Sequence, residues 1–335
     1  MILAGDIGGT KTHLAVFNAD SEQLAMLAEK KFDSQAYVRL EEIVSAFLEM
    51  HKLPVDQACF GIAGPVKEER CVATNLPWEI DARDLEQQFG FKSVKLLNDL
   101  EANAYGIAVL AADDFMILNQ GIRNPIGNAA IIAAGTGLGE AGFYWNGRQH
   151  HPFACEGGHT DFAPRNELEA ELLRFLLKRH KSVSYERVLS GPGLYTIYQF
   201  LRDTKRGDEP DWLAEELQYK DPSAVISQAA LEKRVDLCTR TLELFVSLYG
   251  AETGNLALKI MATGGMYIGG GIAPKIIPKL RDGTFMRAFT AKGRMKPLLE
   301  AIPVRVILND QTALLGAAHY VRLQAHSTSL ILTSE

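Results

Sequence analysis

The feature that most constrains the fold of this chain is a pattern of strand, glycine turn and strand that occurs twice. The first copy is MILAGDIGGTKTHLAVFN, residues 1–18, and the second is NAAIIAAGTGLGEAGFYW, residues 128–145. In each copy an apolar run leads into closely spaced glycines and then into a second apolar segment of strand character. The pattern predicts a β-hairpin near the front of each of two architectural halves. The identity between the copies is too low to indicate a sequence repeat on its own.

The glycines of the first turn fit neither of the two familiar phosphate-binding motifs. A P-loop requires G-x-x-x-x-G-K-[ST] before a helix, but counting from Gly5 puts Thr10 where the second glycine belongs, and a strand pattern follows Lys11. A dinucleotide-binding fingerprint requires G-x-G-x-x-G at the start of a helix, and GDIGGT lacks that spacing. What remains is a hairpin turn, either a plain one or one whose backbone N–H groups surround a phosphate.

Two further glycine clusters favour the phosphate-binding interpretation. Residues 135–137, Gly-Thr-Gly, repeat the glycine–threonine turn after an apolar strand. Residues 269–271 are a triple glycine before a predicted helix that begins at Pro274, where bare backbone can approach an adenine or an α-phosphate. In this order the three glycine elements predict a nucleoside triphosphate held between the two halves. Asp6 is positioned to hold the phosphate-bound Mg²⁺ through water.

Polar residues at two other places are candidates for chemistry. Asn98 and Asp99 end the apolar strand VKLL and precede a helix, so Asp99 is a candidate general base or, alternatively, a helix N-cap. In CEGGHTDFAP, Glu156 and His159 stand on a glycine turn, and their spacing suits the vicinal hydroxyls of a sugar. The alternatives are a structural turn and a metal site that includes the histidines at 150–151, although no cysteine lies at ligand spacing.

Composition excludes several classes of protein. The chain has 335 residues, 47% of them apolar and 23% charged, which suits a globular protein of two domains or one large α/β unit. The net charge of −6 argues against nucleic acid or an anionic membrane as the main partner. No apolar run is long enough to span a bilayer, and no export signal is evident. With four scattered cysteines, we expect reduced thiols in a cytoplasmic protein.

An ordered set of segments carries a resemblance to a known family. The segments are GDIGGT, LLNDLEANAYGI, AAGTGLGEAGF, EGGHTDFAP, SYERVLSGPG, GNLAL and IGGGIAPK. Together they resemble bacterial glucokinase, a hexokinase-type family in the superfamily of sugar kinases, actin and heat-shock ATPases. The resemblance runs from Gly5 to about His319. It implies a two-lobed actin-like ATPase fold, ribonuclease H-like, with the ligand cleft between a small α/β domain and a larger α+β domain.

The domain limits follow from the resemblance and from the restart of the pattern around residue 110. We expect the small domain over 1–108, completed by a C-terminal helix at about 311–335, and the large domain over 109–310. A long periodic run predicts a helix over about 227–249. A flexible region is expected at 105–106, where the chain passes between the lobes.

The resemblance implies roles for individual residues. Asp99 resembles the general base that takes the proton from the 6-hydroxyl of glucose. The residues that resemble the sugar-binding set are Asn75, Asn98, Glu156, His159 and Glu186. The nucleotide-binding set, to which Asp6 is added as the Mg²⁺ ligand, is Asp6, Gly8, Gly9, Thr10, Thr136, Gly137, Gly270 and Gly271.

The implied activity is ATP-dependent phosphorylation of glucose at the 6-hydroxyl to glucose 6-phosphate, with Mg²⁺, in a homodimer. Two alternatives stay open. One is a kinase for another hexose, such as mannose, fructose or an N-acetylated hexosamine, and the other is a catalytically silent sugar sensor on the same fold. An ATPase of the chaperone or actin kind would lack the EGGH and ERVLSGPG pair that this chain contains.

Overall fold

The computed structural model of the chain describes residues 1–18 and 24–332, with side chains up to 325. The chain divides into two compact units. The first unit comprises Met1–Ala112 and Asn309–Glu335, and the second unit comprises Asp113–Leu308. Among the described residues, no helix has both the length and the apolar composition that crossing a bilayer requires.

The amino-terminal part of the first unit alternates strands and helices. In chain order its elements are β1 (Ile2–Ile7), β2 (Lys11–Asn18), β3 (Ala25–Asp33), α1 (Leu40–His51), β4 (Gln57–Ile62), β5 (Val66–Lys67), β6 (Arg70–Val72), β7 (Glu79–Asp81), α2 (Ala82–Phe89), β8 (Ser93–Asn98) and α3 (Asp99–Ile107).

The second unit begins with strands and continues with helices. Its elements are β9 (Phe115–Asn119), β10 (Ala129–Ala134), β11 (Leu138–Trp145), β12 (His150–Cys155), α4 (Glu167–Leu177), α5 (Gly191–Asp203), α6 (Asp211–Tyr219), α7 (Pro222–Leu231), α8 (Asp236–Ile260), β13 (Gly265–Gly269), α9 (Ile277–Leu280), α10 (Thr284–Thr290), α11 (Lys296–Glu300) and β14 (Val304–Ile307). The chain then returns to the first unit with α12 (Thr312–Leu332), and residues 333–335 of the predicted C-terminal helix lie outside the described residues.

The main sheet of the first unit has the strand order β3-β2-β1-β4-β8. Strands β3, β2 and β1 are antiparallel, whereas β1, β4 and β8 are parallel. Because side chains alternate along a strand, β1 buries Leu3 and Ile7 in the cluster that includes α1, and Ile2 and Ala4 in the cluster that includes α12. Burial on both faces explains why this strand is an almost continuous apolar run.

The main sheet of the second unit has the strand order β12-β11-β10-β13-β14-β9. Helix α8 packs against it and presents Tyr249, which is fully buried. The Tyr249 hydroxyl lies 3.3 Å from the carbonyl oxygens of Ile132 and Gly269, and it accepts the N–H of Ala134 at 3.3 Å. One side chain therefore contacts both β10 and β13, the strands that lead into the second glycine turn and the triple glycine.

The predicted helix over 227–249 was wrong in its extent. The segment is two helices, α7 and α8, separated at 232–235, where Lys233 has a φ of 55°. Left-handed backbone at a residue with a side chain is uncommon within regular structure, and here it turns the chain between the helices. The apolar pattern continues across the break between α7 and α8, so the pattern alone did not reveal this break.

The predicted passage between the lobes at 105–106 was wrong in its position, because the first unit continues to Ala112. Gly106 lies inside α3, and its backbone packs so closely against the carbonyl group of Thr312 that no Cβ would fit. This glycine permits close packing of α3 against α12.

Candidate functional site

The first glycine turn joins β1 to β2 in the first unit. The N–H of Gly8 donates to the carbonyl oxygen of Lys11 at 3.0 Å and closes the turn. Ser34 supports it, because its hydroxyl donates to the carbonyl of Gly8 at 2.8 Å and its N–H donates to that of Thr10 at 3.0 Å. Among the described residues, no acceptor bonds the N–H of Gly9 or of Thr10. The turn therefore offers backbone donors, as an anion requires.

Asp6 stands just before this turn at a half-buried position. Burial raises the pKa of its carboxyl to about 6, and the positive charge of Lys31 opposes part of that rise. A cation next to the carboxylate would favour its ionised form, so the position fits the predicted Mg²⁺ ligand. No group of three or more His, Cys, Asp or Glu surrounds a metal position in the part of the chain that the structure describes. An ion here would take its other ligands from water and substrate oxygens.

Asn98 and Asp99 join β8 to α3. Asn98, rather than Asp99, is the N-cap of the helix, because its Oδ1 accepts the N–H of Leu100 at 3.0 Å. Its Nδ2 donates to the carbonyl of Gly64 at 3.2 Å. Asp99 is the first helical residue, and its Oδ1 also accepts the N–H of Leu100, at 2.9 Å. The capping role that was weighed for Asp99 thus belongs mainly to Asn98.

The register of the sheet brings these residues to one edge. Ile7, the last residue of β1, pairs with Ile62 on β4, and Ile62 pairs with Asn98 on β8. The carboxyl ends of parallel strands form the ligand crevice in open α/β sheets. The first glycine turn, Asn98 and Asp99 therefore share the edge of the sheet where such a ligand binds.

Asn75 lies at the same turn. It is exposed in the loop after β6, and a Cβ added at Gly9 would lie only 2.5 Å from the Asn75 Cβ. Residue 9 must therefore be glycine for the predicted sugar ligand Asn75 to approach the phosphate turn.

The second glycine turn joins β10 to β11 in the second unit. The N–H of Gly135 donates to the carbonyl of Gly137 at 2.9 Å, and the carbonyl of Gly135 accepts the N–H of Gly191 at 2.8 Å. Thr136 is exposed at the tip, where its hydroxyl is available to a ligand. The hydrogen bond from Gly191, the first residue of α5, fixes the position of this turn.

The triple glycine follows β13 and contacts the strand that ends in the second turn. Gly270 has a φ of 81° and packs against the backbone of Ala134, so neither its conformation nor its surroundings admit a side chain. Gly271 is exposed, with no other heavy atom within 4 Å of where its Cβ would be. The N–H of Ile272 donates to the carbonyl of Ala134 at 3.2 Å. The chain continues as a 3₁₀ helix, Ala273–Ile276, and then as α9.

A pocket of about 320 Å³ adjoins the triple glycine. Residues from α5, α7 and the 3₁₀ helix line it, among them Leu194, Leu231, Ile272 and Ile276. Polar residues such as Ser227 and Gln228 line the rest, and a slot of this size suits a flat ring system such as a nucleobase. The α5 and α7 residues of this pocket could not be found from sequence, because their apolar spacing is equally typical of a buried helix face.

The predicted sugar ligands of the second unit lie on two short 3₁₀ helices. Glu156 precedes the first, Gly157–His159, and its Oε2 lies 3.9 Å from His159 Nε2, with both side chains more than half exposed. Glu186 lies on the second, Tyr185–Arg187. The N–H of Tyr185 donates to the carbonyl of Thr160 at 3.0 Å. This bond joins the two segments, so Glu156, His159 and Glu186 belong to one loop cluster.

Glu186 also contacts the second glycine turn. Its Oε2 accepts the N–H of Leu138 at 3.0 Å, and a Cβ added at Gly137 would lie 2.5 Å from that oxygen. The hydroxyl of Ser190 donates to the Glu186 carbonyl at 2.8 Å and fixes its backbone. Glu186 has no chemical signature in the sequence, but the structure places its carboxylate between the loop cluster and the second glycine turn.

Glu140 supports the same loop cluster, although it was not among the residues predicted from the sequence. Its side chain is buried, with 1% exposed, and its two carboxylate oxygens have no hydrogen-bond partner among the described residues. The backbone of Gly157 packs directly against the carboxylate. Burial, assisted by the negative charge of Glu252, raises its pKa to about 8. Its place in an alternating strand gave no signal of this environment.

Comparison with known proteins assigns the chain to a family. Residues 3–324 match the family model described as Glucokinase. A glucokinase of Nostoc punctiforme is 46% identical over 333 residues, a match that covers 95% of this chain and 98% of that protein.

Solved structures agree with this result. The structure of a glucokinase from an Antarctic psychrotroph has a TM-score of 0.80 at 30% identity and covers 95% of this chain and 98% of its own. A ROK family glucokinase from Streptomyces griseus, solved in complex with glucose and AMPPNP, shares the fold with a TM-score of 0.65 at 21% identity, covering 95% and 98%. The predicted actin-like sugar-kinase fold and the predicted family are confirmed. The chain belongs to the glucokinase family.

Proposed function

We propose that the chain transfers the γ-phosphoryl group of ATP to the 6-hydroxyl of glucose, which yields ADP and glucose 6-phosphate. Membership of the glucokinase family supports this reaction, and the Streptomyces griseus relative was solved with glucose and AMPPNP. The observation that carries the proposal is the hydrogen bond from the N–H of Leu138 to Glu186. It joins a carboxylate that we propose binds the sugar to the turn that we propose binds phosphate.

The nucleotide is bound largely by backbone. The N–H groups of Gly8, Gly9 and Thr10 in the first turn, and Thr136 with Gly137 in the second, donate to phosphate oxygens. Gly270 and Gly271 let the adenosine part approach the main chain, and the pocket beside them accepts the adenine ring. Backbone donors suit an anion even in a chain of net charge −6.

The sugar is bound by polar side chains from separate segments, Asn75, Asn98, Glu156, His159 and Glu186. Each carboxylate accepts hydroxyl hydrogens, the imidazole can donate or accept, and the amides do both. The side chain of Asn98 already makes hydrogen bonds to Leu100 and Gly64, and these bonds fix its orientation. A site that hydrogen-bonds each hydroxyl in this way discriminates among hexoses.

Asp99 accepts the proton of the 6-hydroxyl as that oxygen attacks the γ-phosphorus, and the bond from this phosphorus to the ADP oxygen breaks. A positioned general base contributes about 10²- to 10⁴-fold to the rate. Asp6 would hold Mg²⁺ through water, and the ion would neutralise negative charge on the phosphates. The homodimer and the cytoplasmic location stay predictions that rest on the resemblance and on composition.

The direct test is hexose-dependent release of ADP. Purified protein is incubated with Mg²⁺-ATP and, separately, glucose, mannose, fructose and N-acetylglucosamine. The proposal predicts fast ADP release with glucose and little without a hexose. Equal ADP release with and without glucose would contradict it, and a stronger response to another hexose would correct the substrate.

A further inference from the structure

A second concave region lies in the second unit and shares no lining residue with the candidate site. It is a groove of about 960 Å³ lined by α4, α5, α8, α10 and the residues just after α10. Its floor is apolar and includes Leu168, Leu201, Leu244 and Ala288. This volume is within the range of small-molecule sites.

The charged side chains that line the groove are mostly cationic. They are Arg165, Arg206, Arg240, Arg287 and Lys292, with two carboxylates, Glu169 and Glu243. Three of the cations have acidic partners: Glu169 for Arg165, Glu171 for Arg206, and Asp236 for Arg240.

The other two cations have only neutral partners. Arg287 Nη2 donates to the Thr284 hydroxyl at 3.1 Å, and Lys292 Nζ donates to the Asn255 Oδ1. Within the described residues, neither has a carboxylate at ion-pair distance, 4.0 Å or less. Desolvation, and then the charge of Arg165, lower the pKa of Lys292, and the negative charge of Glu252 opposes part of this shift. The groove thus holds an exposed arginine and a half-buried lysine that form no ion pair with a carboxylate of the described residues.

We propose that this groove binds a small phosphorylated metabolite, with its phosphate between Arg287 and Lys292 and its carbon skeleton on the apolar floor. A phosphate accepts charge-assisted hydrogen bonds from both side chains. Glu243, exposed in the lining, selects a ligand that also carries hydroxyl groups, since these can donate to it.

The groove is connected to the candidate sugar site by hydrogen bonds. Lys292 donates to Asn255, and the Asn255 Nδ2 donates to the Tyr185 hydroxyl at 3.0 Å and to Glu252 at 2.7 Å. Tyr185 is the neighbour of Glu186 on the same 3₁₀ helix. An anion that draws Lys292 away from Asn255 loosens this support. The ligand therefore weakens glucose binding, a consequence that rests on the proposed role of Glu186.

Binding is tested by calorimetry with 3-phosphoglycerate and fructose 1,6-bisphosphate as probes. The protein is first saturated with glucose and AMPPNP, so that neither probe enters the candidate site. We expect saturable binding of at least one probe and a loss of ten-fold or more in affinity for Arg287→Glu. The matched control is Arg294→Glu, an exposed arginine outside the groove, which should bind like the wild type. No binding of either probe, or equal binding by Arg287→Glu, overturns the site.

The connection is tested by the dissociation constant for glucose with and without the probe. We expect the bound probe to raise this constant about five-fold or more, the scale of a typical coupling between sites. In Lys292→Met the effect of the probe should disappear. An unchanged glucose affinity in the wild type, or an effect that persists in Lys292→Met, overturns the connection. Because these readouts are equilibrium binding, they do not depend on whether phosphoryl transfer occurs.

Discussion

The carboxylate of Glu186 accepts a hydrogen bond from the backbone N–H of Leu138 at 3.0 Å. Leu138 directly follows Gly137 in the second glycine turn, so a side chain proposed for glucose touches the main chain proposed for phosphate. The absence of a side chain at residue 137 permits this contact, because a Cβ there would lie 2.5 Å from the Glu186 Oε2.

Gly137→Ala should therefore raise the dissociation constant for glucose about ten-fold, measured by calorimetry without nucleotide. The added methyl displaces Glu186, and losing a hydrogen bond to a charged group costs about 1.5 to 3 kcal/mol. Gly135→Ala is the matched control, since a Cβ there meets no heavy atom within 4 Å. Equal glucose affinities in the two variants would contradict this role of Gly137.

Glu156→Ala should raise the KM for glucose by ten-fold or more, because a carboxylate that accepts sugar hydroxyls is removed. The KM for ATP should change less. Glu167→Ala removes an exposed carboxylate that pairs with Arg174 at 2.7 Å, and it should leave both constants near the wild-type values. Steady-state kinetics with each substrate varied in turn decide the matter; a normal KM for glucose in Glu156→Ala would remove this residue from the sugar site.

Asp6→Asn should increase the Mg²⁺ concentration needed for half-maximal activity about ten-fold at pH 7.5, since a charged ligand is lost. The pKa of about 6 adds a pH dependence. Wild type should need more Mg²⁺ as the pH falls through about 6 and Asp6 gains a proton, whereas the variant should lack this component. Asp33→Asn, at an exposed carboxylate that ends β3, is the control. The same Mg²⁺ requirement in Asp6→Asn and wild type would disprove the assignment.

Glu140 predicts a pH dependence of stability. In the unfolded chain its carboxyl loses the proton near its ordinary pKa of 4.5, but in the folded chain it keeps the proton up to about pH 8. The folded state thus binds more protons between these values, so the free energy of unfolding falls as pH rises through this window.

Glu140→Gln removes this ionisation. Urea denaturation should show the variant more stable than wild type by about 3 to 5 kcal/mol at pH 9 and nearly equal at pH 4.5. Glu252 and Lys259 on α8 and Cys155 on β12 interact with the same carboxyl, so the measured difference includes their coupling to the charge of Glu140. A difference that does not change with pH would show that Glu140 is ionised alike in both states.

Both glycine hairpins could be predicted because their signals are local. An apolar strand, two or three glycines and a second strand lie within eighteen residues in each case. The strand β3 was not predicted, because it lies at the sheet edge and its charged residues, such as Glu29 and Lys31, obscure the alternation that places Phe32 in the core. The family motifs carried the remaining assignments.

The supporting contacts could not be predicted from sequence, since they join distant segments. Ser34 donates to Gly8 across 26 residues, and Tyr185 joins Thr160 across a helix. The environment of Glu140 depends on Gly157, which local pattern cannot pair with it. In each case tertiary packing, rather than propensity, decides the role of the side chain.

In the proposed reaction, Asp99 takes the proton during phosphoryl transfer from ATP to glucose. Asp99→Asn keeps the shape and an acceptor oxygen for the N–H of Leu100, so the fold of α3 should be preserved. Asp84→Asn, an exposed carboxylate on α2, is the matched control and should retain wild-type turnover.

The most direct measurement is kcat for glucose phosphorylation, with the glucose dissociation constant determined by calorimetry on the same preparation. We predict that Asp99→Asn lowers kcat by about 10²-fold or more, the usual scale for a general base, while glucose affinity stays within a few-fold of wild type. A variant that binds glucose and turns over at nearly the wild-type rate would contradict this role.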